Sequence, residues 1–529
     1  MHHLLALPPE LLDSIATHLD RREDVLSLAL CCRCLHSLVS RTHLQYRDIR
    51  CRLGLSALWD RLASNDLRAG LLRSLTILPY DAFNDVHSEI RDNLPIEERV
   101  PNEYREYASD EAIMDSDRDD EDRLIRALKR MPNLRRFRWF RRPACGVADQ
   151  AGHNIWETLN ALGTIQELHI LNYGGANFPG LPAVSSTSSF VSFRCLTSFN
   201  LSTNAFDEEG DATDATPLLH MLIDSCPDLQ SLTLHLETYG YTTIVSADPL
   251  LYHSGWPNLH TLYLEGLHST SLMLSTFLGS HPSLKDIHLS RMMLGSQWQY
   301  IVLVDGTIPD LHVLECSSHI AGPLLVNHRA VQRITSLRGI DLDDEVVVDS
   351  YFNYASDDDW WDDHSEGDED FETRTASPWK SYLLASIRLH PTITSVWLET
   401  LQPNFPTSYV VELATAAPQI TELSLPDIPP TPFDENEWID ALSHFPNLQY
   451  LRWYDLVFLS DYPPITEEAT VRLRRFVEGC PTLQGVGDAW RMAVIIDRNH
   501  GGQIKWVFRQ KGDSLEPVLL GSDETVYTA

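Results

Sequence analysis

Cysteine is scarce, with nine residues in 529, far below the density of a disulfide-held scaffold. Long apolar runs are missing as well. No segment reaches the ~18 consecutive apolar residues of a transmembrane helix, so no membrane partner is expected. The opening Met1-His-His-Leu4-Leu5-Ala6 is interrupted by Pro8 and Pro9 and is too short for a secretory signal. Basic residues are outnumbered: 41 Lys and Arg stand against 75 Asp and Glu, for a net charge of −34. A surface of that sign repels phosphates, which argues against nucleic acid as a partner. Signatures of catalysis are absent too, with no G-x-x-x-x-G-K-[ST], H-E-x-x-H or G-x-S-x-G in the chain. These absences lead to the expectation of a non-catalytic protein without cofactor, residing inside the cell in cytoplasm, nucleus or both.

Metal sites are equally poorly supported. Cys31-Cys32-Arg33-Cys34 contains one C-x-x-C, but no second pair follows at zinc spacing. On a helix these cysteines read as small buried residues. The run from Asp115 to Asp122 resembles a calcium loop only superficially, because Asp120 stands where the sharp turn needs glycine. It reads instead as a solvated, disordered loop.

The acidity is confined to three segments. Residues 81–122 hold 16 acids and 4 bases, residues 343–372 hold 14 acids and no Lys or Arg, and residues 205–214 hold 5 acids and no bases. Their charges of −12, −14 and −5 supply −31 of the −34. The rest is nearly neutral and ordinary in hydrophobic content, so a large core is available.

That core has a repeat. The phrase P-x-L-x-x-L-x-L appears as Pro132-Asn-Leu134-Arg-Arg-Phe137-Arg-Trp139 and Pro227-Asp-Leu229-Gln-Ser-Leu232-Thr-Leu234. Further copies start at Pro257, Pro282, Pro309, Pro391, Pro418, Pro446 and Pro481, and copies without the proline at Thr164, Cys195 and Thr335. The first leucine positions run 134, 165, 196, 229, 259, 284, 311, 337, 393, 420, 448 and 483, mostly 25–35 apart. The one long gap, 337 to 393, holds the second acidic run, which is therefore an insertion. Leu72-Arg-Ser-Leu75-Thr-Ile77 is an earlier candidate copy.

Two leucines spaced by two share one face of a strand. The apolar segments between copies, such as Leu218 to Ile223, read as helices ended by x-Pro. One strand and one helix per unit of this length is the leucine-rich-repeat pattern. No unit buries its apolar face alone; stacking makes the core. The spacing predicts an α/β fold: a curved leucine-rich-repeat solenoid of about 12 strand–helix repeats over 123–488, with an acidic insertion at 343–377. Residues 51–80 are expected to be a helical linker and first repeat, and 81–122 a disordered acidic insertion. Residues 489–512 read as a β-hairpin cap, and 513–529 as a tail.

Residues 1–50 differ in character. Leu7-Pro8-Pro9-Glu10-Leu11-Leu12 to Leu19 reads as a proline-started amphipathic helix. More apolar helix follows, and about 45 residues cannot bury so many leucines internally. The segment needs a partner surface. Leu7-Pro8-x-Glu10-Leu11-Leu12-x-x-Ile15, then Leu19, then Asp24-Val-Leu26-x-Leu28, then Arg33-x-Leu35 resembles an F-box, with Leu44-Gln-Tyr46-Arg47-Asp-Ile49 similar to its exit segment. The whole layout resembles F-box proteins with divergent leucine-rich repeats. One departure is the tryptophan common late in the motif, replaced near Leu35. The resemblance implies a substrate receptor of a Skp–cullin–F-box ubiquitin ligase, with Leu7, Pro8, Glu10, Leu11, Ile15, Leu19, Leu26, Leu28 and Leu35 docking on a Skp-type adaptor. Through that adaptor the chain would meet a cullin-RING ligase and present a protein target. The alternatives are a repeat scaffold without ligase coupling, and a module binding basic proteins through its acidic insertions.

Outward strand positions form the concave face on which such a target would sit. Aromatic and arginine residues there are the usual hot-spot types, which singles out Trp397, Tyr450, Arg452, Tyr454, Tyr263 and His288. Packing on cross-strand neighbours is the competing role. Ser356 and Ser365 precede acids in the 343–372 run and are candidate phosphorylation sites.

Overall fold

The computed structural model describes residues 7–78, 99–107, 117–140, 155–172, 189–203, 215–236, 245–253, 255–289, 293–294, 301–342, 379–399, 405–426, 434–453, 467–487, 492–497, 503–508 and 527–528. They fall into two compact units, residues 1–239 with 253–259, and residues 240–252 with 260–529.

The first unit opens with three helices, α1 (Pro9–His18), α2 (Arg22–Leu30) and α3 (Arg33–Val39). Pro9 starts α1, where its missing N–H is not needed. The helices close on a small internal cluster of Ala16, Val25, Ala29 and Val39, against which Leu19, Leu28, Leu38 and Leu44 pack. Because that cluster is built largely from alanine and valine, larger leucines are left outside it. Cys31 and Cys34 are exposed, not buried as their helical setting implied. Cys31 caps the end of α2, and Cys34 lies in the first turn of α3.

Parallel strands follow: β1 (Asp48–Arg52), β2 (Ser74–Leu78), β3 (Arg136–Trp139), β4 (Glu167–Asn172), β5 (Ser198–Thr203) and β6 (Ser231–Leu236). Helices α4 (Ser56–Ser64), α5 (Asp66–Leu71), α6 (Asp117–Leu128), α7 (Ile155–Leu162) and α8 (Thr216–Ser225) lie between them in the chain. The repeat array thus starts at Asp48, inside the segment assigned to the N-terminal motif. Ile49 pairs with Leu75 and Cys51 with Ile77, so Tyr46-x-x-Ile49-x-Cys51 is itself a repeat phrase.

The first acidic segment is ordered at its end, contrary to the disordered loop expected. Asp117–Leu128 is helix α6, and Asp120 is 3% exposed. Acids in a first helical turn favour the helix dipole. Upstream, Arg99 bridges backbone to backbone with Arg50 and ion-pairs with Asp48. Glu103 accepts from Tyr46 and Arg68. These long-range partners order a stretch whose composition alone reads as loop.

The second unit continues the pattern. A small parallel sheet joins β7 (Val245–Ser246), β9 (Leu267–Ser269) and β11 (Met293–Leu294). The main strands are β8 (Thr261–Glu265), β10 (Asp286–Leu289), β12 (Val313–Cys316), β13 (Ser336–Ile340), β14 (Ser395–Leu398), β15 (Glu422–Ser424), β16 (Tyr450–Arg452) and β17 (Gly485–Gly487), all parallel in that order. Helices α9 (Ser271–Ser280), α10 (Ser318–Leu325), α11 (Trp379–Arg388), α12 (Thr407–Ala416), α13 (Glu435–Ser443) and α14 (Glu467–Gly479) accompany them. Strand β18 (Met492–Asp497) runs antiparallel to β17 and forms a hairpin with β19 (Gln503–Phe508). The tail does not simply trail away: β20 (Tyr527–Thr528) pairs with β19.

The recurring proline phrase has a direct structural meaning. Cys226, His281 and Ala417 each end a helix with φ between −124 and −138 or close to it (−123 for His281) and ψ near 60. A following proline disfavours the helical ψ at that residue. These residues then point inward, with Cys226 0%, His281 1%, His390 2% and Cys480 3% exposed. The residue after the proline binds the previous repeat: Asn447 Nδ2 donates to the Pro418 carbonyl at 3.0 Å and Thr482 Oγ1 to that of Leu448 at 2.7 Å. Leucines such as Leu232, Leu234, Leu262 and Leu314 are fully buried, each worth ~1.5–3 kcal/mol of apolar burial.

One copy is out of register with its sequence reading. Leu337 pairs with Leu314 and Val396, which places it second in its phrase; the first position is Ile334, not Leu337. The cause is an irregularity between Leu337 and Ile340, where Gly339 takes φ 71. A side chain at Gly339 would be strained at that φ and would sit 3.4 Å from the Cys316 carbonyl.

Candidate functional site

Two surfaces carry chemistry. The first is the outside of α1 and α2. Leu11 is 50% exposed, Ile15 38%, Leu26 38% and Leu30 72%. Their neighbours on the same helices, Leu12, Ala16, Val25 and Ala29, are buried. The helices therefore bury Leu12 and their small apolar residues and leave these four large ones to solvent, the mark of an interaction site.

This patch is held firmly on the array. Arg47, 0% exposed, donates to the carbonyls of Ala16, Thr17 and Leu71. Arg73 donates to Thr17 O at 3.0 Å and Gly70 O at 3.0 Å. Both guanidiniums thus serve carbonyls at the C-terminal ends of α1 and α5. Asp20 completes the joint through Arg135 at 2.6 Å. Burial, with Arg73 beside it, pushes the Arg47 guanidinium down to about 10. It stays charged at neutral pH.

The second surface is the helix-free face of the second unit's sheet. Its registers align Tyr263, His288, Glu315 and Arg338 on four successive strands, and Trp397, Ser424 and Arg452 on the three that follow. Tyr263 stacks on His288 with centroids 5.3 Å apart, and His288 Nδ1 meets Glu315 Oε2 at 2.8 Å. The indole of Trp397 lies between two guanidiniums, Arg338 at 4.1 Å and Arg452 at 4.4 Å from its centre. Arg452 also reaches Glu422 at 2.7 Å. Each such cation–π contact contributes roughly 0.5–2 kcal/mol, depending on desolvation. Trp397 is thus a platform on which two arginines stack.

Sequence similarity decides what the first surface belongs to. The family model described as the F-box domain matches residues 4–45. The chain carries an F-box domain. Among curated proteins none matches the chain. Solved structures that resemble it include the yeast Rad7–Elc1 complex, at 13% identity and a TM-score of 0.34, covering 77% of each chain. Another is the leucine-rich-repeat protein LegL7 from Legionella pneumophila, at 12% identity and a TM-score of 0.29, covering 68% of this chain and 86% of that one. The leucine-rich-repeat assignment rests on the strands, registers and buried leucines described above.

Within the F-box, the named residues divide. Leu11, Ile15 and Leu26 lie on the exposed patch with Glu10 and Pro8, and Leu7 is half-buried. Leu19 and Leu28 pack on the internal cluster, and Leu35 is 1% exposed. Leu35 holds the helices together and offers no surface. Leu30 went unread, although its spacing of four from Leu26 places it on the same helix face. On the sheet, Tyr263, His288, Trp397, Tyr450 and Arg452 are all half-buried on one face. Arg338, Glu315 and Glu422 were missed there; the register irregularity at Gly339 concealed Arg338. Tyr454, Ser356 and Ser365 lie outside the described residues.

Proposed function

We propose that the protein is the substrate-recognition subunit of a Skp–cullin–F-box ubiquitin ligase. The observation that carries this reading is the F-box match together with the exposed Leu11, Ile15, Leu26 and Leu30. F-box domains generally bind Skp-type adaptors, and a patch of leucines on two helices fits an apolar adaptor groove. The Arg47 and Arg73 joint supports the reading as well. A receptor acts by proximity, and a fixed joint between F-box and first repeats limits the wasted freedom of a captured target.

The target surface in this reading is the row around Arg338, Trp397 and Arg452. Stacked, oriented arginines are strong anchors for a protein partner. The test is target capture. Proteins retained by the wild-type chain and lost with Arg338→Ala/Arg452→Ala are the candidates. Their half-lives should lengthen when Leu11→Asp/Leu30→Asp replaces the wild-type chain in cells. Captured proteins whose turnover ignores the leucine substitutions would point instead to a scaffold without ligase coupling.

A further inference from the structure

The first unit has a sheet-face site of its own. Arg50, Thr76, Arg138, His169, Asn200 and Thr233 stand side by side on β1 to β6. Over β3 to β6 this row borders a cavity of about 180 Å³, whose further walls are Glu167, Leu168, Ser198 and Ser231.

Three features of the cavity are unusual. Arg138 makes no hydrogen bond or ion pair with a described residue; burial lowers its pKa, and the nearby Glu167 offsets part of that. The Asn200 Oδ1 is buried and has no hydrogen-bond partner among the described residues. Finally, His169 lies edge-on to Phe140 at 4.7 Å, and burial beside Arg138 pushes its pKa down to about 3. The ring is therefore neutral and adds no charge.

The chemistry of a ligand can be worked out from these walls. Two arginines, Arg136 and Arg138, and one acid, Glu167, stand at the site for a local charge of +1, while Asp48 farther off is shared by Arg50 and Arg99. A cation is repelled by Arg138. A dianion is disfavoured by Glu167, which lines the same cavity. A monoanion matches. Arg138 offers a planar fork of donors suited to a carboxylate. Ser198, Ser231 and Thr233 add hydroxyl donors. Asn200 Oδ1 needs an N–H, so the carboxylate should come with one.

We propose that this cavity binds an α-carboxylate next to an acylated N–H, the group found at the C-terminus of a polypeptide and in N-acyl amino acids. The carboxylate sits on Arg138 and the hydroxyls, and the N–H donates to Asn200. The site stands independently of whether the F-box docks an adaptor.

The test uses the purified full chain and saturation-transfer NMR at millimolar ligand. The probes are N-acetyl-glycyl-glycine, its C-terminal amide, N-acetylglycine and inorganic phosphate. Both free acids should bind, and the amide should bind at least ten-fold more weakly. Arg138→Gln should abolish binding. Asn200→Asp should weaken it at least ten-fold through repulsion, and it decides the matter if Arg138→Gln fails to fold. A dipeptide acid that binds ten-fold better than N-acetylglycine identifies polypeptide ends as the source; equal affinities identify small N-acyl acids. The proposal is overturned if amide and acid bind alike, if phosphate binds better than either acid, if neither acid binds, or if a folded Arg138→Gln chain binds as before.

Discussion

Replacing Arg47 by methionine should loosen the F-box from the repeats. Arg47 is fully buried and gives hydrogen bonds to three carbonyls, on Ala16, Thr17 and Leu71. At ~2 kcal/mol for a charged hydrogen bond, three contribute about 6 kcal/mol. Against this stands the burial of the charge. The guanidinium is held at about 10 rather than 12.5, and at ~1.4 kcal/mol per pH unit that is a penalty of about 3.5 kcal/mol. Methionine fills similar space without the penalty and without the bonds. The net loss is about 2.5 kcal/mol. For a unit of this size that lowers the melting temperature by roughly 5–10 °C. Hydrogen exchange should localise the effect, with protection lost in Pro9–His18 while β3 to β6 stay protected. Arg47→Lys should fall short of wild type, because one ammonium lacks the fork that spans three acceptors. An Arg47→Met chain with unchanged melting and unchanged exchange in α1 would refute the joint.

Three further outcomes follow from the same structure. Trp397→Leu should cost about 1–2 kcal/mol by removing the platform between Arg338 and Arg452. In thermal melts Trp397→Phe should recover part of that loss, and equal melting of the two variants would argue against cation–π stacking. Gly479→Ala should cost about 1–3 kcal/mol through overpacking, because its new methyl would collide with the branched Ile439 across α13 and α14; an Ile439→Ala background should shrink the penalty. Stability should also fall in acid. Burial lowers the pKa of His281 and His390 below 6.5 and that of His319 to about 4. Below pH 6.5 the unfolded chain takes up protons that the folded chain refuses, so their contribution is constant above that pH and declines beneath it. Melting temperatures at pH 8 and 7 should agree on this account and drop by pH 5. His390→Gln, which keeps a donor for the Leu325 carbonyl, should flatten the decline, and an identical profile in that variant would contradict it.

The repeat was legible because its physics is local. A proline after a helix and leucines spaced by three and two mark strand, turn and buried face without any tertiary knowledge. The strand at Asp48–Arg52 was not legible, since Tyr46, Ile49 and Cys51 replace the leucines and share their sequence with the F-box exit. Leu337 was misplaced because a bulge at Gly339 breaks the spacing that identifies the phrase. The F-box patch was half legible. Helical periodicity shows which residues share a face; it does not tell whether that face meets a sister helix or solvent. Hence the motif places Leu35 on the surface and gives Leu30 no role, whereas Leu35 is 1% and Leu30 72% exposed. Order at 99–107 depends on Asp48, Tyr46 and Arg68, distant in sequence, and no local pattern reveals such pairs.

The central claim is that the F-box docks a Skp-type adaptor through its exposed leucines. The most direct measurement is calorimetric binding of a purified adaptor to the full chain, with wild type beside Leu7→Ala/Pro8→Ala and Leu11→Asp/Leu30→Asp. Stable wild-type binding, weakened by the first pair and abolished by the second in chains that melt normally, is the predicted result. A folded wild-type chain that binds no adaptor would contradict it.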